Sequence, residues 1–112
     1  MKPASSKAKG RKLQQWVRDL LLSLAKDLEP DDIRSTSMGA AGEDILFSPK
    51  ARKVYPFSIE CKSRAKLSVQ DFYEQAKTNC PKGSEPIVVL KQNMKKPLVL
   101  VDAEYFFDHW YN

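Results

Sequence analysis

Asp44, fifteen intervening residues, then Glu60-Cys61-Lys62 is the part of this sequence best suited to chemistry. Side chains alternate faces along a strand, so Ser58, Glu60 and Lys62 point one way and Phe57, Ile59 and Cys61 the other. An acid and a lysine two apart, beside apolar neighbours, are unusual for a strand expected to be central. Such charges are costly to bury without a partner. A metal ion supplies one, and Asp44 at the start of the neighbouring strand adds a second carboxylate. A hard divalent ion such as Mg²⁺, with Mn²⁺ as a substitute, takes a few carboxylates together with waters and phosphate oxygens. A lysine nearby can orient or deprotonate a bound water and offset charge developing on a phosphate. The alternative is an exposed Glu60–Lys62 ion pair on an open sheet face, worth under about 1 kcal/mol; the third member, Asp44, argues against it.

The elements that must position these residues follow from periodicity. Leu13, Val17, Leu20, Leu21, Leu24 and Leu28 form one stripe of an amphipathic helix over 11–28, ended by Glu29-Pro30. Residues 33–38 read as a short strand, and Gly39-Ala40-Ala41-Gly42 as a small-residue loop. Strands are expected over 44–48 and 57–62, with a hairpin as the simplest connection. Ser68 is the N-cap of a helix reaching about Asn79, with Val69, Phe72, Tyr73 and Ala76 facing inward. Strands over 86–90 and 98–101 flank a turn at 92–96, and an aromatic helix over 103–111 packs Phe106, Phe107 and Trp110 back onto the body. The expected fold class is α/β, a mixed central sheet flanked by helices, in the order α-β-β-β-α-β-β-α.

At 112 residues the chain is one domain's worth. Area scaling buries about two-thirds of its unfolded surface, enough for a core. Its apolar runs are far shorter than the ~20 residues of a membrane span, and no apolar stretch follows the basic start as in a signal peptide. No membrane partner, no organic cofactor and a cytoplasmic location are expected. The net charge of +5 is uneven: Lys2, Lys7, Lys9, Arg11, Lys12 and Arg18 stand without an acid in residues 1–18, while the rest carries one more acid than base. Residues 1–10 read as a flexible basic arm before a single domain over 11–112. Such an arm is an electrostatic footprint for phosphate, or else a solubilising tail. Lys50, Arg52 and Lys53 form a second basic cluster, read as a DNA contact rather than a solvated turn. Cys61, Cys80 and His109 do not make a zinc site, and both thiols are expected to be reduced. His109 reads as a packing or capping residue, and Trp16 as core or dimer surface.

The acid pattern resembles the D-x(n)-(D/E)-x-K core of the PD-(D/E)XK nuclease superfamily, whose α-β-β-β-α-β core matches the expected order. Within it the chain looks most like the small Holliday junction resolvases of archaeal type, also carried by phages. Lys9-Gly10-Arg11 resembles their basic-Gly helix entry. Ser35-Thr36-Ser37-Met38-Gly39 resembles the Ser/Gly stretch before the motif aspartate, Ile59-Glu60-Cys61-Lys62-Ser63-Arg64 the E-x-K-S-R run, and Glu74-Gln75-Ala76 the E-Q-A helix. The likeness spans roughly residues 9–102. Two positions depart: Gln14 stands where the family has a glutamate, and Glu43 where it has a proline. Glu43 is either an additional acid or a solvated loop residue, and alternation, which points it away from Asp44, favours the second.

The resemblance implies a restriction-endonuclease-like core in which Asp44, Glu60 and the Cys61 carbonyl bind Mg²⁺ and Lys62 positions the attacking water. Gln14 and Gln75 are additional candidates. Lys9, Arg11, Lys12, Ser35, Ser37, Lys50, Arg52, Lys53 and Arg64 are expected at DNA, with Ser35 and Ser37 alternatively ordinary loop hydroxyls. The activity implied is resolution of four-way junctions by symmetric phosphodiester hydrolysis, in the host cytoplasm for a phage-encoded chain. One chain has one site and a junction needs two symmetric cuts, so a homodimer is expected. The alternatives are a flap, nicking or restriction-like nuclease on the same core, and a DNA-binding module whose acids are structural.

Overall fold

Two serines start helices that the hydrophobic pattern alone does not reveal. In the computed structural model, which describes residues 5–36 and 41–111, the Ser5 hydroxyl accepts from the Ala8 N–H at 3.1 Å and caps α1 (Ser6–Leu24). The helix thus begins and ends earlier than its apolar stripe indicated. Residues 6–10, expected within an unfolded arm, are helical. Leu28 is buried but no longer helical, and Leu20 and Leu24 are exposed rather than part of the core. A 3-10 turn (Pro30–Asp32) follows, in which the Asp32 carboxylate accepts the Glu29 N–H at 2.7 Å.

The second serine corrects the expected hairpin. Ser48 accepts from the Ala51 N–H at 3.0 Å, Pro49 occupies the first helical turn, and a short helix α2 (Pro49–Val54) lies between the two strands. The hairpin is instead β1 (Ile33–Ser35) with β2 (Ile45–Phe47), antiparallel, with Ser35 opposite Ile45. Asp32 fixes its far end: its carboxylate accepts from the Ser48 hydroxyl at 2.6 Å and its carbonyl from the Ser48 N–H at 2.8 Å. The hydroxyl, with the Glu29 N–H second, holds the Asp32 carboxyl below its usual range.

β3 (Phe57–Arg64) runs parallel to β4 (Glu85–Gln92), with α3 (Val69–Thr78) as the crossover, and β5 (Leu98–Leu100) adds antiparallel to β4. α4 (Ala103–Tyr111) ends the chain. The molecule is an α/β domain whose mixed sheet is flanked by helices. On one sheet face Ile59, Cys61 and Val89 meet Leu13 and Val17 of α1, together with Ile33 and Ile45 of the hairpin. On the other, Val88 and Leu90 meet Ala76 and Phe72 of α3. The aromatic helix packs back less than expected. Tyr105 meets the edge of the Phe57 ring and stacks on His109 at 4.0 Å, but Phe106 and Phe107 are 47% and 60% exposed. The Trp110 and Tyr111 side chains and Ser37 lie outside the described part. Among the described residues both thiols are free, and no helix is long and apolar enough to cross a membrane.

Candidate active site

The period-2 pattern of β3 puts Glu60 and Lys62 on the α3 face, in register with Val88 and Leu90 of β4. Packing by α3 buries both: their side chains are 6% and 12% exposed, with Lys62 Nζ 3.2 Å from Glu60 Oε1. This excludes the open-face ion pair considered from sequence. The Lys62 ammonium also stands over the Phe72 ring, 5.7 Å from its centroid. The Asn79 side chain, at the C-cap of α3, is near enough to Glu60 to favour its charged form.

Asp44 immediately precedes β2 and meets β3 edge-on. Its N–H donates to the Ile59 carbonyl at 3.1 Å, and its Oδ2 accepts from the Cys61 N–H at 2.8 Å. The N–H and C=O of one strand residue leave toward the same edge, so the Cys61 carbonyl also lies on the Asp44 side, away from β4. The sequence candidates Asp44, Glu60, Lys62 and the Cys61 backbone are therefore brought together along one seam between the hairpin and the sheet.

Burial dominates the electrostatics of the seam. Burial first raises the Asp44 carboxyl above its ordinary value, against the Cys61 N–H and the Lys62 charge, which lower it. Burial also raises Glu60, and repulsion from Asp44 adds to it; Lys62 and Asn79 offset only part. Burial, then the flanking carboxylates, push the Cys61 thiol far up, so it is no nucleophile at neutral pH.

These features bear on whether a divalent ion fits. Among the described residues no group of three or more His, Cys, Asp or Glu side chains gathers, which argues against a cage made of protein alone. Mg²⁺ rarely uses one; one or two carboxylates with waters and substrate oxygens suffice. Two neighbouring carboxylates, each held above its ordinary value chiefly by burial, fit that coordination.

The remaining candidates fall elsewhere. Gln14 is buried on α1, and Gln75 is exposed on α3 without a described contact to the acid pair. Arg52 is engaged within the fold: its guanidinium makes two bonds to Glu43, at 2.9 and 3.0 Å, donates to the Phe57 carbonyl at 2.7 Å and lies over the Phe47 ring. Glu43 is accordingly not solvated; its side chain is 11% exposed. Lys50 is exposed but donates to the Asp27 carbonyl at 2.7 Å, and half-buried Lys9 donates to Asn93 Oδ1 at 3.2 Å. Arg64, half-buried, donates to the Ser63 carbonyl, and Ser35 is half-buried in β1; Arg11, Lys12 and Lys53 are exposed.

Sequence reasoning missed Asn79 and Phe72 as partners of the acid–lysine pair. Their spacing with Ala76 (i, i+4, i+7) marks one helix face and was available as a signal. Comparison with known proteins finds no matching family model, no matching curated protein and no matching solved structure.

Proposed function

We propose that this chain is a divalent-metal-dependent DNA endonuclease with a restriction-endonuclease-like core, acting as a homodimer to resolve four-way junctions. The observation that carries the reading is the convergence of Asp44, Glu60 and Lys62 on one buried seam, both carboxyls raised by burial. Pure structure is poorly served by such a group, because a buried and a half-buried acid near one lysine cost stability. A Mg²⁺ ion held by Asp44, Glu60 and the Cys61 carbonyl would supply Lewis acidity at a phosphate oxygen and acidify a water. Lys62 then has the tethered position needed to orient the attacking water and balance charge on the phosphate. Asn79 favours the charged form of Glu60, and the Phe72 ring supports the ammonium. The junction as substrate rests on the family resemblance and on the basic N-terminal segment, whose phosphate contacts make binding salt-dependent. Symmetric cutting asks for two copies, since the described residues of one chain hold one such seam.

The test is cleavage of an end-labelled four-way junction and of a matching duplex, with Mg²⁺ or with EDTA. Asp44→Asn is the informative variant, because its amide oxygen can still accept the Cys61 N–H while its charge is gone. Paired cuts in the junction that need Mg²⁺ and disappear in Asp44→Asn, with binding retained, support the reading. Cleavage by Asp44→Asn at the wild-type rate, or tight binding without cleavage under any divalent ion, refutes it.

A further inference from the structure

An apolar groove of about 460 Å³ opens on the sheet face away from Glu60 and Lys62, between α1 and α4. It is lined by Trp16 and Leu20 of α1, Leu98 and Val99 of β5, and Tyr105 and Phe106 of α4. Among the described residues, its lining holds no Lys, Arg, Asp or Glu, and Tyr105 and His109 are its ionisable side chains, in a protein of net charge +5. A polyanion has nothing to bind here. The groove is also not a closed core defect: Trp16, Leu20, Leu98, Val99 and Phe106 are 48%, 41%, 63%, 61% and 47% exposed. Taking full side-chain areas of about 150–250 Å² each, Trp16, Leu20, Val99 and Phe106 leave about 300–500 Å² of apolar surface in water here, while Leu98, paired with Leu90, leans to the α3 face. That is at the size of the largest patch on a typical monomer and close to the apolar share of a standard interface, which buries about 800 Å² per partner.

The geometry points to a second copy of this chain as the occupant, docked groove to groove across a two-fold axis. An isologous interface needs projection and recess on the same patch. This face offers both: Trp16 and Phe106 line the groove and are each about half exposed. It is depleted of charge at the centre and aromatic, as interface centres are. The axis would set the two acid seams on the outer faces of the pair, because the groove and the Glu60–Lys62 pair occupy opposite faces of the sheet. The inference deepens the homodimer reading above and rests on it for its purpose, two outward sites for two strands. It does not rest on the acids being catalytic.

Sedimentation velocity of the full chain, without DNA, tests it. Val99→Lys and Trp16→Lys place a charge on the patch from two different elements, at exposed positions where folding tolerates it. Met94→Lys, at an apolar residue 96% exposed and off the groove, is the control. The wild type and Met94→Lys are expected to be dimers. Each groove change acts twice across the axis, so a tenfold loss per site compounds to about a hundredfold weaker dimerisation. Circular dichroism confirms that the variants are folded. A wild type that stays monomeric at high micromolar concentration overturns the inference, as does one that is monomeric but floats with phosphatidylcholine vesicles. Groove variants dimerising as tightly as wild type overturn it too. A monomer that still cuts junctions defeats the interface and spares the nuclease; a groove-dependent dimer that never cuts does the reverse.

Discussion

Arg52→Met separates two roles that the residue's charge alone cannot. Methionine keeps most of the side chain's reach and removes the guanidinium. In the structure that group makes two bonds to a carboxylate only 11% exposed, one to a strand carbonyl, and a contact with the Phe47 ring. Stripping one partner from a fully buried pair costs about 3–5 kcal/mol. Arg52 is itself 30% exposed, so water can partly serve Glu43, and about 2–3 kcal/mol is the expected loss. For a domain of this size that lowers the thermal midpoint by about 10 °C. Glu43→Gln, which keeps hydrogen-bonding capacity, costs about 1 kcal/mol, and the double variant loses less than the two singles together by about 1–2 kcal/mol. Urea denaturation of the four proteins measures this. Junction affinity against salt is the companion assay, because an arginine on a phosphate contributes about one unit to the salt slope. An Arg52→Met protein within about 0.5 kcal/mol of wild type, with a shallower salt slope, refutes the clamp and restores the DNA-contact reading.

The acid seam should also reveal itself through pH. Glu60 titrates above its ordinary value in the folded state, so the folded protein holds that proton more tightly, and stability falls as pH rises through the raised value. In EDTA, Glu60→Gln is therefore expected to melt a few degrees higher than wild type at pH 7.5 while cutting nothing. That gain should vanish as the pH falls toward about 4, the ordinary carboxylate range; a variant less stable than wild type at pH 7.5 contradicts the assignment. Asn79→Ala removes a side chain that lowers Glu60, so it should reduce kcat about tenfold or more and move the acid limb of the rate profile to higher pH. An unchanged profile would make Asn79 a helix cap and nothing more.

The parts legible in the sequence are those with a strict period and a two-faced burial. Residues 57–62 alternate cleanly, and the structure keeps Glu60 and Lys62 on one face and Ile59 and Cys61 on the other. Ser68, Asp71 and Phe72 located α3 to within a residue. What escaped is of two kinds. Short helices have no room for a period: α2 announces itself only by Ser48-Pro49, a cap and first-turn pair that two nearby strand-like runs overshadowed. Long-range pairing of charge is equally silent. Nothing local says that Arg52 belongs to Glu43 rather than to a phosphate, or that Asn79 folds back onto Glu60. Both depend on the parallel β3–β4 pairing and its crossover, which bring residues far apart in the chain to one place.

The hairpin carrying Asp44 is tied to β3, among the described residues, by only two hydrogen bonds, and both are made by Asp44 itself. Apart from the Arg18 guanidinium of α1 donating to the Ile33 carbonyl at 2.8 Å, what holds the hairpin in place is apolar volume: Ile33 and Ile45 are fully buried against α1 and the sheet. Ile45 is the very next residue after Asp44, so the spacing between the acids is inherited from how one isoleucine seats in its socket. Cores answer to single methylenes, and here that response is transmitted one bond along the chain to a carboxylate. A lineage could thus retune or silence this seam through Ile45 while Asp44, Glu60 and Lys62 stayed untouched. Inspection of the acids alone would never reveal the loss.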